Sequence, residues 1–393
     1  MIIGERMMKG KQFANITKSI LLIVLCCVLF CGCLNAGQKN SASDTAADVL
    51  HDSKLSEEEK IEKILRSMSK TEKLGQLMMI GIGGKTADED SLYQLHQFHF
   101  GGIVLFDRNM ESLKQVRSLT DSLQKKCEEK LPLFIAVDEE GGEVVRMEEV
   151  LTPPPSQQSI GKTGDKKLAN KWAADTAKRL KDIGINVNFA PVADIGSNGE
   201  RHYSDEPKEV ANFVAAAADG YEQERLYYSL KHFPGIGKGK TDSHIDSVVV
   251  NATKEELMAE DLLPFRRIIE SRRNNNYIVM VSHIIYPEIS GDTPASLSKE
   301  IMSDLLRKEL KYDGVIATDD MEMGAVSNHY GFRELGVRAI NAGADIVLVC
   351  HDYEHETEVY MGMLEALKKG RLSEERINES VRRVIKMKLK YLI

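Results

Sequence analysis

The feature that most constrains the fold is an alternation. From about residue 55 onward, short apolar runs alternate with longer amphipathic stretches. The runs occupy residues 77–82, 102–106, 133–137, 187–190, 229–232, 278–282, 314–318 and 345–350. Most are near-continuous Val, Ile, Leu and Met, as expected of parallel strands covered on both faces. Helical spacing marks 113–129, 167–183, 207–225, 254–270, 299–310, 331–342, 354–369 and 373–392. Ser56 and the acids Glu57, Glu58 and Glu59 open an earlier helix through Met68, with negative charge where the helix dipole favours it. Strand and helix repeated eight times predict an α/β chain folded as a single (β/α)8 TIM-type barrel. The rival, an open doubly wound sheet, is weakened because no Gly-x-Gly-x-x-Gly follows the first run. A chain of 393 residues, 42% of them hydrophobic, can fill one such barrel. No low-complexity stretch interrupts it after Thr71, so residues 55–393 are expected to be one catalytic domain.

The N-terminus reads differently. Arg6, Lys9, Lys11 and Lys18 precede an apolar run from Ile20 to Phe30, followed by Cys31, Gly32 and Cys33. This charged, apolar, small-residue layout is that of a secretory signal. The run is short for a membrane-spanning helix. It resembles a lipoprotein signal, with residues 1–32 removed and Cys33 carrying the lipid; an uncleaved anchor is the alternative. Residues 33–54, rich in Ser, Ala and Asp, are expected to be a flexible tether. The domain would then be exported and held at the extracytoplasmic face of the cell membrane. The net charge is −8, and losing residues 1–32 removes four basic residues and Glu5, leaving −11. A chain this acidic argues against nucleic acid as a partner. Only Cys127 and Cys350 lie outside the signal region. They could pair, but they supply no disulfide framework or zinc site.

Function in such a barrel gathers where strands end, and these ends are unusually polar. Asp138, Glu139 and Glu140 follow the third run, with Arg146 beyond. Asn188 lies in the fourth and Asp194 follows it, then Arg201. Lys231 and His232 end the fifth, His283 the sixth, and Asp319 and Asp320 the seventh. One such corner is often a helix cap; five together imply a charged pocket. The chemistry this suggests is glycosyl transfer to water, which needs a carboxylate on one side of the anomeric carbon and a proton donor on the other. Asp319, ending a buried strand, is placed as the nucleophile. In the glycine-rich loop after the fifth run, Asp242 and His244 are two residues apart. The carboxylate would orient the imidazole and raise its pKa, letting it donate and then take a proton. Metal catalysis is the competing reading, but there is no His-x-x-x-His pair and the ligand-type residues are widely spread. The loop's glycines and lysines lack the Walker pattern.

Taken in order, these motifs resemble the beta-N-acetylglucosaminidases of glycoside hydrolase family 3 that act on peptidoglycan fragments. The resemblance runs from about Lys73 to Cys350. It rests on Gly75-Gln76-Leu77, Gly101 to Phe106, Val137 to Gly142 with Arg146, Asn188 to Asp194, Lys231 to Gly235, Asp242-Ser243-His244 and Thr318 to Met323. It implies Asp319 as the nucleophile forming a covalent glycosyl-enzyme, His244 as general acid/base and Asp242 as its dyad partner. It further implies Lys231 and His232 holding sugar hydroxyls, Asp138 binding the outer hydroxyls, and Arg146 and Arg201 lining the pocket. His283 would be a further strand-end contact to substrate. No metal or organic cofactor is implied.

The implied activity is retaining exo-hydrolysis of terminal, non-reducing β-linked N-acetylglucosamine from wall fragments (muropeptides). A beta-glucosidase or glycoside phosphorylase of the same family, and a non-catalytic sugar-binding lipoprotein, are the alternatives. Three departures stand out: Ile236 replaces the usual histidine, Lys238 and Lys240 enter the loop, and His202-Tyr203 follow Arg201.

Overall fold

The computed structural model describes residues 46–393 apart from 128–130, 149, 197–198, 237–246, 274–275 and 393. Eight strands close into an all-parallel barrel in chain order: β1 Met78–Ile80, β2 Gly102–Leu105, β3 Phe134–Val137, β4 Val187–Asn188, β5 Tyr227–Phe233, β6 Tyr277–Val281, β7 Val315–Asp320 and β8 Ile346–Val349. β8 pairs back onto β1 through Met78–Val347 to Ile80–Val349. Each run expected to be a strand overlaps one, with β5, β6 and β7 extending beyond the expected bounds. Their continuous apolar character has a simple cause, since both faces are buried. Met79, Val104, Phe134, Tyr227, Ile278, Val315 and Ile346 fill the barrel interior. Their neighbours Ile80, Ile103, Ile135, Tyr228, Val279, Ile316 and Val347 pack outward against the helices.

Three of the differences from the expected helices have a clear physical reading or position. A helix, Glu89–Phe98, joins β1 to β2; two of its four buried positions are Ser91 and Gln94, so its apolar stripe is faint. The stretch 254–270 divides into Lys254–Ala259 and Leu263–Ser271, the second starting beside Pro264, where proline is tolerated. Residues Glu300–Glu309 wind as a π-helix.

The expected boundaries also shift. The chain divides into Met1–Thr45 and Ala46–Ile393. The helix Ala46–His51 begins the second unit, burying Val49 and Leu50 in its core, while Lys60 Nζ donates to the Leu50 carbonyl at 2.7 Å. A free tether extending to residue 54 is therefore corrected, because these apolar side chains gain by burial. The expected signal segment and Cys33 lie outside the described residues. No helix among the described residues is long and apolar enough to cross a membrane. Cys127 and Cys350 are both free thiols, so the pairing considered above is not made.

The last helix, Glu374–Tyr391, seals the end of the barrel where strands begin. Val384 and Met387 enter the interior cluster. Tyr227 Oη donates to the Met387 carbonyl and accepts from Tyr391 N–H. Lys388, fully buried, donates to Gln76 Oε1 and to the Gly101 carbonyl, both at 2.9 Å. At the same end, Asp345 is buried among Arg307, Arg376 and Arg383. With this end plugged, the opposite end is left open for chemistry.

Candidate active site

The turn after β3 is built by its neighbours. Asn188, ending β4, accepts from Glu139 N–H and donates to the Glu139 carbonyl, each at 2.9 Å. Its amide thereby continues the strand pairing past the end of β3. Gly141 follows with φ 96°, and a Cβ there would lie 2.4 Å from the Pro155 carbonyl oxygen, so only glycine fits. This sharp turn aims Asp138 and Glu140 across the mouth toward β5.

Opposite them, Lys231 Nζ sits 2.5 Å from Asp138 Oδ1 and 2.6 Å from Glu140 Oε1. Arg201 grips Glu140 through two bonds, at 2.9 and 2.8 Å, the fork geometry favoured by a carboxylate. Arg146 lies 3.9 Å from the other oxygen of Asp138. The result is a row of alternating charge: Arg146, Asp138, Lys231, Glu140, Arg201. Burial opposes the ionised form of Glu140, but Lys231 and Arg201 outweigh it and hold its pKa at about 2. Burial likewise works against the Lys231 ammonium, and Asp138 and Glu140 overcome it, raising its pKa. Glu139 has no such cations in contact. Burial pushes it up to about 7, partly offset by the backbone N–H of Arg146.

His232 is oriented by Asp194. One carboxylate oxygen accepts from Nδ1–H at 2.7 Å; the other accepts from His232 N–H at 3.1 Å and Ile236 N–H at 3.0 Å. Nε2 then faces Arg201 Nη2 at 3.3 Å. The Lys231–His232 peptide is cis, and Ala193 N–H donates to the Lys231 carbonyl at 2.6 Å.

Asp319 lies near the end of β7, where its Oδ1 accepts from Asp320 N–H at 2.9 Å. Burial disfavours its charge, but His232, His283, the Asp320 amide and Lys231 outweigh burial and keep its pKa below the usual carboxylate range. It is therefore a carboxylate at neutral pH, as a nucleophile must be.

Asp138, Arg146, Arg201, Lys231, His232 and Asp319 line one cavity of about 490 Å³ at the strand ends, a size suited to a small ligand. His283 does not line it. The imidazole is buried behind β7, with Nε2 donating to the Asp320 carbonyl at 2.8 Å and Nδ1 2.6 Å from Ser296 Oγ. Burial lowers its pKa. Direct contact with substrate, expected for His283, is corrected to support of β7, because both ring nitrogens are already engaged. Asp242 and His244 lie outside the described residues. Ile236, the last described residue before them, lines the cavity, and Ser247, the first described residue after them, donates through Oγ to the Ala325 carbonyl just beyond β7.

The structure adds residues that sequence reasoning passed over. Glu140 sits in the quoted run of acids, yet only the fold distinguishes it from Glu139. Glu322, three residues after Asp319, accepts from Cys350 N–H and His351 N–H and pairs with His355 at 2.7 Å, tying the ends of β7 and β8 together. His351 pairs with Asp320 at 3.1 Å, and that hydrogen bond raises its pKa. Among the described residues no three His, Cys, Asp or Glu side chains are grouped to hold a metal.

Comparison with known proteins points the same way. Residues 69–387 match the glycosyl hydrolase family 3 N-terminal domain. The chain is 34% identical over 326 residues to beta-hexosaminidase A of Pseudoalteromonas piscicida, covering 75% of this chain and 54% of that protein. It is 33% identical to the beta-hexosaminidase of Haemophilus influenzae, covering 72% and 81%. A family 3 beta-N-acetylglucosaminidase from Paenibacillus superposes with a TM-score of 0.80 at 37% identity, over 83% of this chain and 63% of that one. The chain thus spans about half the length of the Pseudoalteromonas protein.

Proposed function

The chain belongs to glycosyl hydrolase family 3, and on that premise we propose that it is a retaining exo-beta-N-acetylglucosaminidase. One observation carries the reading. An ionised carboxylate, Asp319, shares a cavity with a pre-paired row of charges, Asp138, Lys231, Glu140 and Arg201, suited to sugar hydroxyls. The relatives named as beta-hexosaminidases and a beta-N-acetylglucosaminidase support N-acetylglucosamine as the sugar.

In the first step, an Asp319 carboxylate oxygen attacks the anomeric carbon. The bond to the leaving oxygen breaks as that oxygen takes a proton from His244, which Asp242 holds. In the second step water loses a proton to His244 and displaces Asp319, releasing the sugar with retained configuration. Lys231, Arg201 and Asp138 hold the outer hydroxyls, so binding energy fixes the ring against the nucleophile. His232, locked by Asp194, contributes an imidazole edge to the same wall. No cofactor takes part. The substrates are terminal N-acetylglucosamine residues of peptidoglycan fragments, met outside the membrane to which Cys33 tethers the enzyme.

The test is a panel of aryl glycosides. N-acetyl-β-glucosaminide should be turned over at least tenfold faster than glucoside or xyloside, and Asp319→Asn should lose roughly 10³-fold or more in kcat. Faster turnover of glucoside would overturn the sugar assignment. Sugar 1-phosphate formed in phosphate buffer would overturn hydrolysis. Near-normal turnover by Asp319→Asn would remove it as nucleophile.

A further inference from the structure

Glu139 stands between two residues of the charged row and takes no part in it. Asp138 and Glu140 line the cavity; Glu139 does not, and it is 2% exposed. Its backbone is clamped from β4 by Asn188, whose amide also donates to Tyr221 Oη at 3.1 Å. The Glu139 carboxylate turns to its own loop. Oε2 accepts from Arg146 N–H at 3.0 Å, and the Met147 N–H also favours the ionised form.

That bond matters because the Arg146 side chain is loosely held where it meets the cavity. Its Nη2 is 3.9 Å from Asp138 Oδ2, its buried Nε has no hydrogen-bond partner, and its guanidinium lies 5.6 Å from the Phe106 ring centre. The side chain therefore takes its position from the backbone. Before Arg146, the N–H groups of Glu140 and Gly141 both donate to the Val144 carbonyl, at 3.0 and 3.2 Å. After it, Met147 is buried in the core. The Glu139 carboxylate closes the span between these two anchors. A glutamine could accept the same bond without the cost of a buried charge. What a carboxylate adds is strength, since a hydrogen bond to an ionised acceptor is roughly twice as strong as one between neutral groups.

We propose that Glu139 is a positioning residue for sugar binding: its carboxylate holds the Arg146 backbone from behind the cavity and so sets how closely that arginine meets the sugar. The inference rests on the reading above that this cavity takes N-acetylglucosamine. The titratable groups facing Glu139 are Asp138 and Arg146 on its own loop and Tyr221 on the helix Pro207–Gln223, whose phenol burial keeps protonated. Burial pushes Glu139 up to about 7, so both of its forms are present near neutral pH. The N–H donors favour the anion. Seating Arg146 on a sugar strengthens that bond, so the sugar-bound enzyme holds the anion more firmly than the free enzyme does. Linkage then requires sugar affinity to be complete above pH 7 and to fall as pH drops below it.

The test is the Kd of N-acetylglucosamine, measured by calorimetry at pH 8 and pH 5 for the wild type, Glu139→Gln and Arg146→Ala. The wild type should bind about tenfold more weakly at pH 5, which corresponds to a fall of about one unit in the Glu139 pKa on binding. Glu139→Gln keeps an accepting oxygen but cannot ionise, so its ratio between the two pH values should shrink to within about twofold. Arg146→Ala should lose the ratio as well, whatever its absolute affinity, because Glu139 acts through that side chain. This second variant leaves the backbone bond in place, and it decides the matter even where Glu139→Gln fails to fold. A wild-type Kd that does not change with pH, or the wild-type ratio retained in either variant, overturns the inference. Absence of binding at both pH values overturns it too. The hydrolase reading is judged separately, by turnover of an aryl N-acetyl-β-glucosaminide at pH 8. No turnover there overturns that reading, while the binding ratios still decide the role of Glu139.

Discussion

A carboxylate removed from water is tolerated only when cations and hydrogen bonds replace its hydration. Glu140, 1% exposed, receives both from Lys231 and Arg201. It is the hinge of the charged row, since those two cations meet only through it. In Glu140→Gln both cations would face a neutral amide, so destabilisation of about 3 kcal/mol is expected, with KM for the aryl N-acetylglucosaminide raised at least tenfold. The pH dependence follows from linkage. The folded pKa, about 2, lies below the unfolded value near 4.3. Its stabilisation is therefore complete above the unfolded value and is lost as pH falls toward 2. Thermal melts from pH 6 to pH 3 should show a steeper loss in the wild type than in Glu140→Gln; parallel losses would contradict this role. Asp138 and Glu140 were equally visible as acids at a strand end. Their division of labour, one partly open to the cavity and one sealed, was not, because it depends on Lys231 arriving from a strand 93 residues after Asp138.

At the scale of elements, the closing helix Glu374–Tyr391 carries the most telling group. Lys388 is buried at the base of the barrel, 4.9 Å from the Phe134 ring centre, and burial lowers its pKa to about 7. An unfolded lysine titrates near 10.4. Between those values the unfolded chain binds the extra proton, so stability from this group rises with pH. Urea unfolding should show a gain of about 2 kcal/mol from pH 7 to pH 9 that Lys388→Met lacks. An equal gain in the variant would show that Lys388 keeps its charge in the fold. The helix itself was legible, since its apolar positions recur at helical spacing. Glu89–Phe98 was not, because Ser91 and Gln94 occupy part of its buried face and periodicity sees only apolar residues.

For the whole molecule, the proposed anchoring makes a prediction separable from catalysis. In cells expressing the full chain, activity should sediment with membranes, and Cys33→Ala should move most of it to the soluble fraction with kcat unchanged. Membrane retention in the variant would dismiss lipidation at Cys33 and favour an uncleaved anchor. The folded unit begins at Ala46, earlier than composition implied. A stretch rich in Ser, Ala and Asp reads as linker until Val49 and Leu50 find a core to enter.

By itself, the sequence determined the barrel. Eight buried strands impose a continuous apolar signal, and parallel strands require crossovers long enough to be seen as helices. It also marked Asp138, Arg146, Arg201, Lys231, His232 and Asp319 as strand-end residues, because a barrel places such positions at one mouth. Tertiary structure alone decided what those side chains touch. Only the closed ring brings Glu140 between Lys231 and Arg201 and turns His283 away from the cavity to hold β7. Burial and pairing are set by residues distant along the chain, and no local pattern encodes them.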